Sequence, residues 1–205
     1  MDSNSSFAPT YSTLELIQIS HMKAIPFENL DVVGRKIIST NTSDLENKLV
    51  KSHRGGYCFE QNNLLLEVLR VIGYKVKPVL VRVRWNKGNV QTPYTHMGLI
   101  VTLNSDTDSA IDYFVDVAFG GLSSTIPLLL PQHDQTSIIQ ESSEFGHSRL
   151  VRDDSDMDCY TEQWLLKGIW VDLYKFSDRE ALQCDLDVAN WYSCTHPQVL
   201  HVLKL

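Results

Sequence analysis

Three segments in the first third of the chain carry a helical period, each with a readable start. Ser12-Thr13-Leu14-Glu15 has the form of a capping box, a hydroxyl residue followed three positions later by a carboxylate. It predicts a helix with Leu14, Ile17 and His21 on one side, stopping before Pro26. Ser43-Asp44-Leu45-Glu46 repeats the box and predicts a short helix to about Val50. In the third, Leu65, Val68, Leu69 and Ile72 follow i, i+3, i+4, i+7 after Gly55-Gly56, and Gly73 supplies the stop. Beyond Gly73 the helical period gives way to simple alternation. Strands are predicted from Val76 to Trp85, bent at Pro78, from Thr95 to Leu103, and from Ile111 to Phe119. The last two are joined by the polar loop Asn104 to Ser109. From about Gln132 to Asp158 polar and acidic residues predict a long irregular excursion. Strand-like material returns from Tyr160 to Tyr174, where Trp164 and Trp170 read as core. Helices first and an antiparallel sheet after them make the chain α+β.

Composition adds exclusions. With 205 residues, 43% hydrophobic and 21% charged, the chain reads as an ordinary globular protein. The polar start MDSNSSFAPT is not a secretory leader, and no apolar run is long enough to span a bilayer. A net charge of −7 without a basic stripe argues against nucleic acid and anionic lipid as partners. Cys58, Cys159, Cys184 and Cys194 are widely spaced, which suits reduced thiols in the cytoplasm better than a disulfide framework. The sequons at Asn4 and Asn41 carry no weight without secretion.

Candidate chemistry begins at Cys58, which follows two glycines and lies in the first turn of the third helix. Glycines allow a tight turn, and a helix start favours a thiolate, the form that attacks a carbonyl carbon. A buried structural cysteine is the plain alternative. A nucleophile needs a base, and the base an orienter. In the second strand Met97, Leu99, Val101 and Leu103 share an apolar face, which leaves His96 on the other. In the third, Tyr113, Val115, Val117 and Phe119 do the same, leaving Asp112, Phe114 and Asp116 opposite. The midpoint of 96 and 116 is 106, close to the centre of the polar loop, so a hairpin folded there sets His96 opposite Asp116. Asp112 competes as orienter but stands nearer the loop, where it is expected to be solvated.

Arg54-Gly55-Gly56-Tyr57-Cys58-Phe59-Glu60-Gln61-Asn62 resembles the R-G-G-x-C-x-E-x-N signature of arylamine N-acetyltransferases. Ile25-Pro26-Phe27-Glu28-Asn29-Leu30, Thr95-His96, Val115-Asp116-Val117-Ala118-Phe119-Gly120 and Asn190-Trp191-Tyr192-Ser193-Cys194-Thr195-His196-Pro197 resemble further blocks of that family, in its order. Ala118 departs mildly from the usual glycine. The resemblance implies a papain- and transglutaminase-like cysteine core: a helical domain over 1–75, a β-barrel domain over 76–190, and the start of a lid domain over 191–205. Members usually continue past the position of Leu205 into a third domain that helps bind coenzyme A, so most of the lid is expected to be missing. The implied activity is ping-pong transfer of acetyl from acetyl-CoA, through a thioester on Cys58, to an arylamine, arylhydrazine or N-hydroxyarylamine. Cys58 is then the nucleophile, His96 the base and Asp116 the orienter. Phe27 and Phe119 line the acceptor pocket, while Arg54 and Glu60 brace the site from behind.

Other readings are weaker. Asp154, Asp156 and Asp158 lack the glycine and the closing glutamate of a calcium loop. No Cys or His pair has zinc spacing, His196 and His201 included, so no metal is expected. Gly120-Gly121 is not followed by the Lys of a phosphate loop. A transglutaminase-like or amide- or thioester-hydrolysing enzyme would use the same Cys, His, Asp order, and an inactive truncated relative would keep it unused.

Overall fold

The computed structural model describes residues 7–88, 90–104, 110–131, 137–142, 146–153 and 158–197. Helix α1 (Tyr11–Ala24) is capped by Thr10, whose hydroxyl accepts the Thr13 amide at 3.3 Å. Thr10 has the extended backbone that a cap needs, which places Ser12 inside the first turn rather than before it. The single turn α2 (Leu30–Val33) was not foreshadowed by any period. Helix α3 (Thr42–Leu45) starts after Asn41, not Ser43, and passes directly into a π-helical turn over Glu46–Lys51. No side chain caps it at Asn41, and the Asp44 carboxylate within its first turn accepts from Ser39 Oγ at 2.6 Å.

Helix α4 (Cys58–Ile72) ends on Gly73 at φ +102°, a left-handed turn that glycine enters without strain. Leu65 and Leu69 are buried, but Val68 is 39% exposed. Gln61, Asn62 and Asn63 are buried instead, because the first two turns are surrounded on every side. An apolar stripe describes only the second half of such a helix.

The sheet is antiparallel throughout, in the order β4-β3-β2-β1-β8-β7-β6-β5. Its members are β1 (Lys75–Val83), β2 (Tyr94–Asn104), β3 (Ala110–Val115), β4 (Leu128–Leu129), β5 (Ser137–Ser142), β6 (Gly146–Arg152), β7 (Cys159–Leu166) and β8 (Ile169–Ser177). β1 runs through Pro78 without a break. The Pro78 carbonyl faces away from β2 and accepts from the Ala181 amide, so the missing N–H falls where β2 needs no donor. The irregularity in β1 comes later, between Val81 and Arg82. The expected irregular excursion contains β5 and β6, and β4 lies just before it. In β6 buried Ser148 and Leu150 alternate with Arg149, which lies over the Trp170 ring, and a polar residue on each face hides the period from a hydrophobicity reading. Trp164 is core, whereas Trp170 is only half-buried under that guanidinium.

The two edges of the sheet meet. Gln140 of β5 accepts from the Leu129 amide of β4 through Oε1 at 3.0 Å and donates to the Leu129 carbonyl through Nε2 at 3.4 Å. The primary amide imitates a strand residue and closes the sheet toward a barrel. Both faces of β2 are therefore covered. Met97, Leu99 and Val101 join α1, α4 and α5 (Gln183–Thr195) in one core, while Ile100 joins Phe114, Leu150, Trp164, Tyr174 and Phe176 inside the barrel. A boundary at residues 190 and 191 falls within α5, whose Leu186, Ala189 and Cys194 pack into the first core.

The hairpin is centred elsewhere than expected. Leu99 opposes Val115, which puts the midpoint at 107 rather than 106, and β3 ends at Val115 instead of Phe119. A midpoint moved by one shifts the partners by two, so His96 and Asp116 keep a common face but are diagonal neighbours. The hairpin tip at 105–109 lies outside the described residues, as do Asn4, Asp154, Asp156 and His201. Among the described residues no helix is long and apolar enough to cross a membrane.

Gly98 gives a direct check of the barrel packing. A Cβ there would lie 2.4 Å from Phe114 Cζ, and Phe114 is stacked on Phe176 with ring centroids 4.2 Å apart. Gly98→Ala should destabilise the protein by roughly 1–3 kcal/mol in urea unfolding. Combined with Phe114→Leu, it should cost less than the two separate losses added together.

Candidate active site

Cys58 is the first residue of α4, and two contacts pin that helix start. Glu60 Oε2 accepts the Tyr57 amide at 3.1 Å, and Glu60 Oε1 accepts Lys48 Nζ at 2.7 Å. Burial pushes the Glu60 carboxyl up, and Lys48 and the Tyr57 amide oppose the rise. The preceding glycines are used for close approach rather than for an unusual turn. A Cβ on Gly55 would lie 2.2 Å from the Pro26 carbonyl oxygen, and one on Gly56 2.9 Å from both Glu60 and Leu49. Their backbone pairs with residues 26–28: the Glu28 amide donates to the Gly56 carbonyl at 3.0 Å. Gln61 Nε2 ties the same strip from the helix side, reaching the Gly56 carbonyl at 2.7 Å and that of Pro26 at 3.2 Å. Arg54 holds the outer end of this strip, donating to Glu28 at 2.6 Å and to Asp31 at 3.0 Å.

His96 and Asp116 lie behind the sulfur, both fully buried. The imidazole Nε2 donates to Asp116 Oδ2 at 2.6 Å. Burial alone would lower the His96 pKa, but the charge of Asp116 and the contact with Cys58 outweigh it, and the net shift is upward. Burial would likewise raise Asp116, and His96, the Ala118 amide and Asn62 reverse that. The pair is held charged. Asp116 Oδ1 accepts from Asn62 Nδ2 and from the Ala118 amide, each at 2.9 Å. Cys58 Sγ lies 3.8 Å from the Thr95 carbonyl oxygen, beside the same strand end. The structure thus brings Cys58, His96 and Asp116 together. It sends Asp112 elsewhere, half-buried and accepting from Thr102 at 2.6 Å.

A cysteine at a helix start, a buried histidine and a carboxylate behind it can accept an acyl group and pass it on. Comparison with known proteins narrows the class. A family model described as N-acetyltransferase matches residues 10–205. The chain belongs to the arylamine N-acetyltransferase family. It is 36% identical to the arylamine N-acetyltransferase of Mycobacterium tuberculosis over 192 residues, 92% of this chain and 64% of that protein. The Escherichia coli protein of the same name is 33% identical over 93% of this chain and 63% of its own length. Among solved structures, the arylamine N-acetyltransferase of Salmonella typhimurium matches with a TM-score of 0.82 at 33% identity, covering 94% of this chain and 65% of that one. The Mycobacterium marinum enzyme, solved in complex with CoA, matches with a TM-score of 0.82 at 33% identity, over 96% and 69%. The chain therefore spans about 64% of the length of the curated arylamine N-acetyltransferases it matches.

Of the two aromatic rings that the family resemblance picks out, Phe119 stands beside the histidine and Phe27 lies against the turn at Gly120. Phe119 meets the His96 ring edge-on with centroids 5.5 Å apart. Phe27 is partly exposed and lies so close to Gly120 that a Cβ there would be 2.8 Å from its ring. The sequence reading gave no role to three further residues, although Asn62 is the last position of the signature it quoted. Asn62, one helical turn after Cys58, also donates to the Met97 carbonyl and accepts the Val117 amide, stitching α4 to both strands of the hairpin. Its i+4 spacing from Cys58 was the available signal. Gln18 reaches from α1 to the carbonyls of Asp116 and Ser124, at 3.4 and 2.9 Å. Tyr174 packs its ring on His96 and Phe119, and only the pairing of β8 with β7 and β1 reveals it.

The shifts fix how stability depends on pH. A raised His96 contributes stability fully present below the unfolded imidazole value of 6.5 and lost as pH rises through its raised folded value. A lowered Asp116 contributes stability present above 3.8 and lost as pH falls through its lowered folded value. Asp116→Asn removes both effects. Its stability deficit against the parent, from urea unfolding, should be widest between about pH 4 and 6.5 and shrink on the alkaline side.

Proposed function

We propose that this chain transfers acetyl from acetyl-CoA to an arylamine or N-hydroxyarylamine through a thioester on Cys58. The observation that carries the reading is the buried, charged His96–Asp116 pair aligned behind a cysteine at a helix start. The family supports the chemistry. The Salmonella typhimurium relative is named both arylamine N-acetyltransferase and N-hydroxyarylamine O-acetyltransferase, and a structural relative binds CoA.

In the first half-reaction the Cys58 sulfur attacks the thioester carbonyl carbon, and the coenzyme A thiolate leaves with a proton from His96. In the second, the amine nitrogen attacks the acetyl carbon on Cys58. His96 takes the amine's proton, and the Cys58 sulfur is released. Asp116 keeps Nε2 of the ring occupied, which leaves the other nitrogen to face the sulfur and the substrates. Phe27 and Phe119 supply aromatic walls suited to a flat arene. Arg54 and Glu60 keep the 26–28 strip and the helix start in place. The setting proposed is the cytoplasm, which suits four free cysteines.

The test is a mass measurement on the Cys58 peptide after incubation with acetyl-CoA alone. An acetyl thioester should form and vanish when an aminosalicylate is added, with acetylated amine appearing in its place. Cys58→Ala should give none, and His96→Gln should slow the step by at least 100-fold, the scale of a lost acid–base group. Free acetate without acetylated amine would point to a hydrolase instead.

A further inference from the structure

Glu162 is fully buried in β7, directly opposite Tyr174 in β8. Its Oε2 and the Tyr174 hydroxyl share a hydrogen bond, while Oε1 has no partner among the described residues. Asp116 also acts on the Tyr174 hydroxyl: after burial and Glu162, its charge and its acceptor oxygens raise the tyrosine pKa, and the Tyr174 ring packs on His96, the partner of Asp116. Groups facing Glu162 from the packed elements are Leu150 of β6, Tyr174 of β8, Asp116 beyond β3 and His96 of β2. Asp116 repels a charge on Glu162, and His96 attracts one from farther back in the chain of contacts.

Counting hydrogens decides the arrangement. Tyr174 has a single hydroxyl hydrogen, bonds to Glu162 and feels Asp116 as a second acceptor. Asp116 is ionised and can only accept. If Glu162 were ionised as well, both would compete for that one hydrogen, and Asp116 or Glu162 would go without. We propose that Glu162 is a positioning residue of the active site: its carboxyl O–H donates to Tyr174 Oη, which frees the tyrosine hydrogen for Asp116. The inference deepens the acetyl-transfer reading and rests on it for its catalytic meaning. The hydrogen bonds then run one way, from Glu162 through Tyr174 to Asp116, which in turn accepts from His96. The unpartnered Oε1 agrees, because a neutral carboxyl leaves only a carbonyl-like oxygen unsatisfied, far cheaper to bury than a bare carboxylate.

Burial, joined by the charge of Asp116, pushes the Glu162 carboxyl up to about 8, against the Tyr174 hydrogen bond and His96. Below that value the carboxyl keeps its proton. Above it, the proton leaves to solvent, Glu162 becomes an acceptor, and Tyr174 turns its hydrogen toward Glu162. Asp116 loses a donor and gains a like-charged neighbour, so it draws the His96 proton more strongly. The site therefore carries a titration that belongs to none of Cys58, His96 or Asp116.

The test follows the His96 ring N–H by 1H–15N spectroscopy of the whole chain, from about pH 6 to about 9.5, across the alkaline range in which Glu162 ionises. In the parent its resonance should move through a step near pH 8. In Glu162→Gln, whose amide donates to Tyr174 at every pH, that step should be absent. Superimposable titrations in the two proteins would overturn the proposal. Glu162→Leu, which removes the donor, should slow thioester formation at pH 7 about tenfold, the scale of one hydrogen bond to a charged group, with Gln restoring most of it. Equal rates for Leu and Gln would likewise count against the assignment. The spectroscopic step needs no acetyl transfer. A step present without a Cys58 thioester would therefore sink the acetyl-transfer reading alone, and a thioester without the step would sink this one alone.

Discussion

An ion pair buried between the helices and the sheet governs the architecture. Removing His96 and Asp116 from water costs several kcal/mol per ion, and their mutual attraction repays it only when the remaining lone pairs are satisfied. The chain meets that condition with Asn62 from α4 and the Ala118 amide from the turn after β3, while Gln18 of α1 pins the Asp116 backbone carbonyl and Tyr174 of β8 packs on His96. Each contact also fixes the position of the element that supplies it. The requirement to keep one carboxylate solvated without water thus holds the helices against the sheet in a single arrangement.

The helix that carries Cys58 is held by the same logic. Its first turns are polar and buried, with Gln61, Asn62 and Glu60 spent on backbone and ionic contacts rather than left for solvent. Gly55 and Gly56 allow the 26–28 strip to lie directly against the helix start. Sulfur, imidazole and carboxylate are then set by three separate elements whose mutual placement leaves little play.

Much of this was legible in the sequence, and the failures have physical causes. Alternation placed His96 and Asp116 on one face, and it survived a two-residue change of partner because a strand's side-chain period is two. The less apolar face proved to be a second core, since the sheet closes and covers both sides. The caps of α1 and α3 were misplaced because Ser12 and Ser43 carry the right side chains on the wrong backbone. Strands β5 and β6 were hidden by polar residues on both faces, and Pro78 raised a false alarm because its missing donor points away from β2. Glu162 and Tyr174 could not be found from one strand at a time: their importance arises only when β7 and β8 pair and turn both side chains toward a histidine far away in sequence.

The bridge made by Gln140 has a consequence for the shape of the molecule. Seven of the junctions between neighbouring strands are backbone ladders, while among the described residues the last is sewn by one primary amide to one residue of β4. A cylinder closed in that way has a weak meridian. Lengthwise rupture along it would sacrifice two hydrogen bonds yet bare two strand margins, each able to recruit a foreign chain. Protection against that fate rests on one side chain to which the proposed chemistry assigns no part, where selection for catalysis alone would not look.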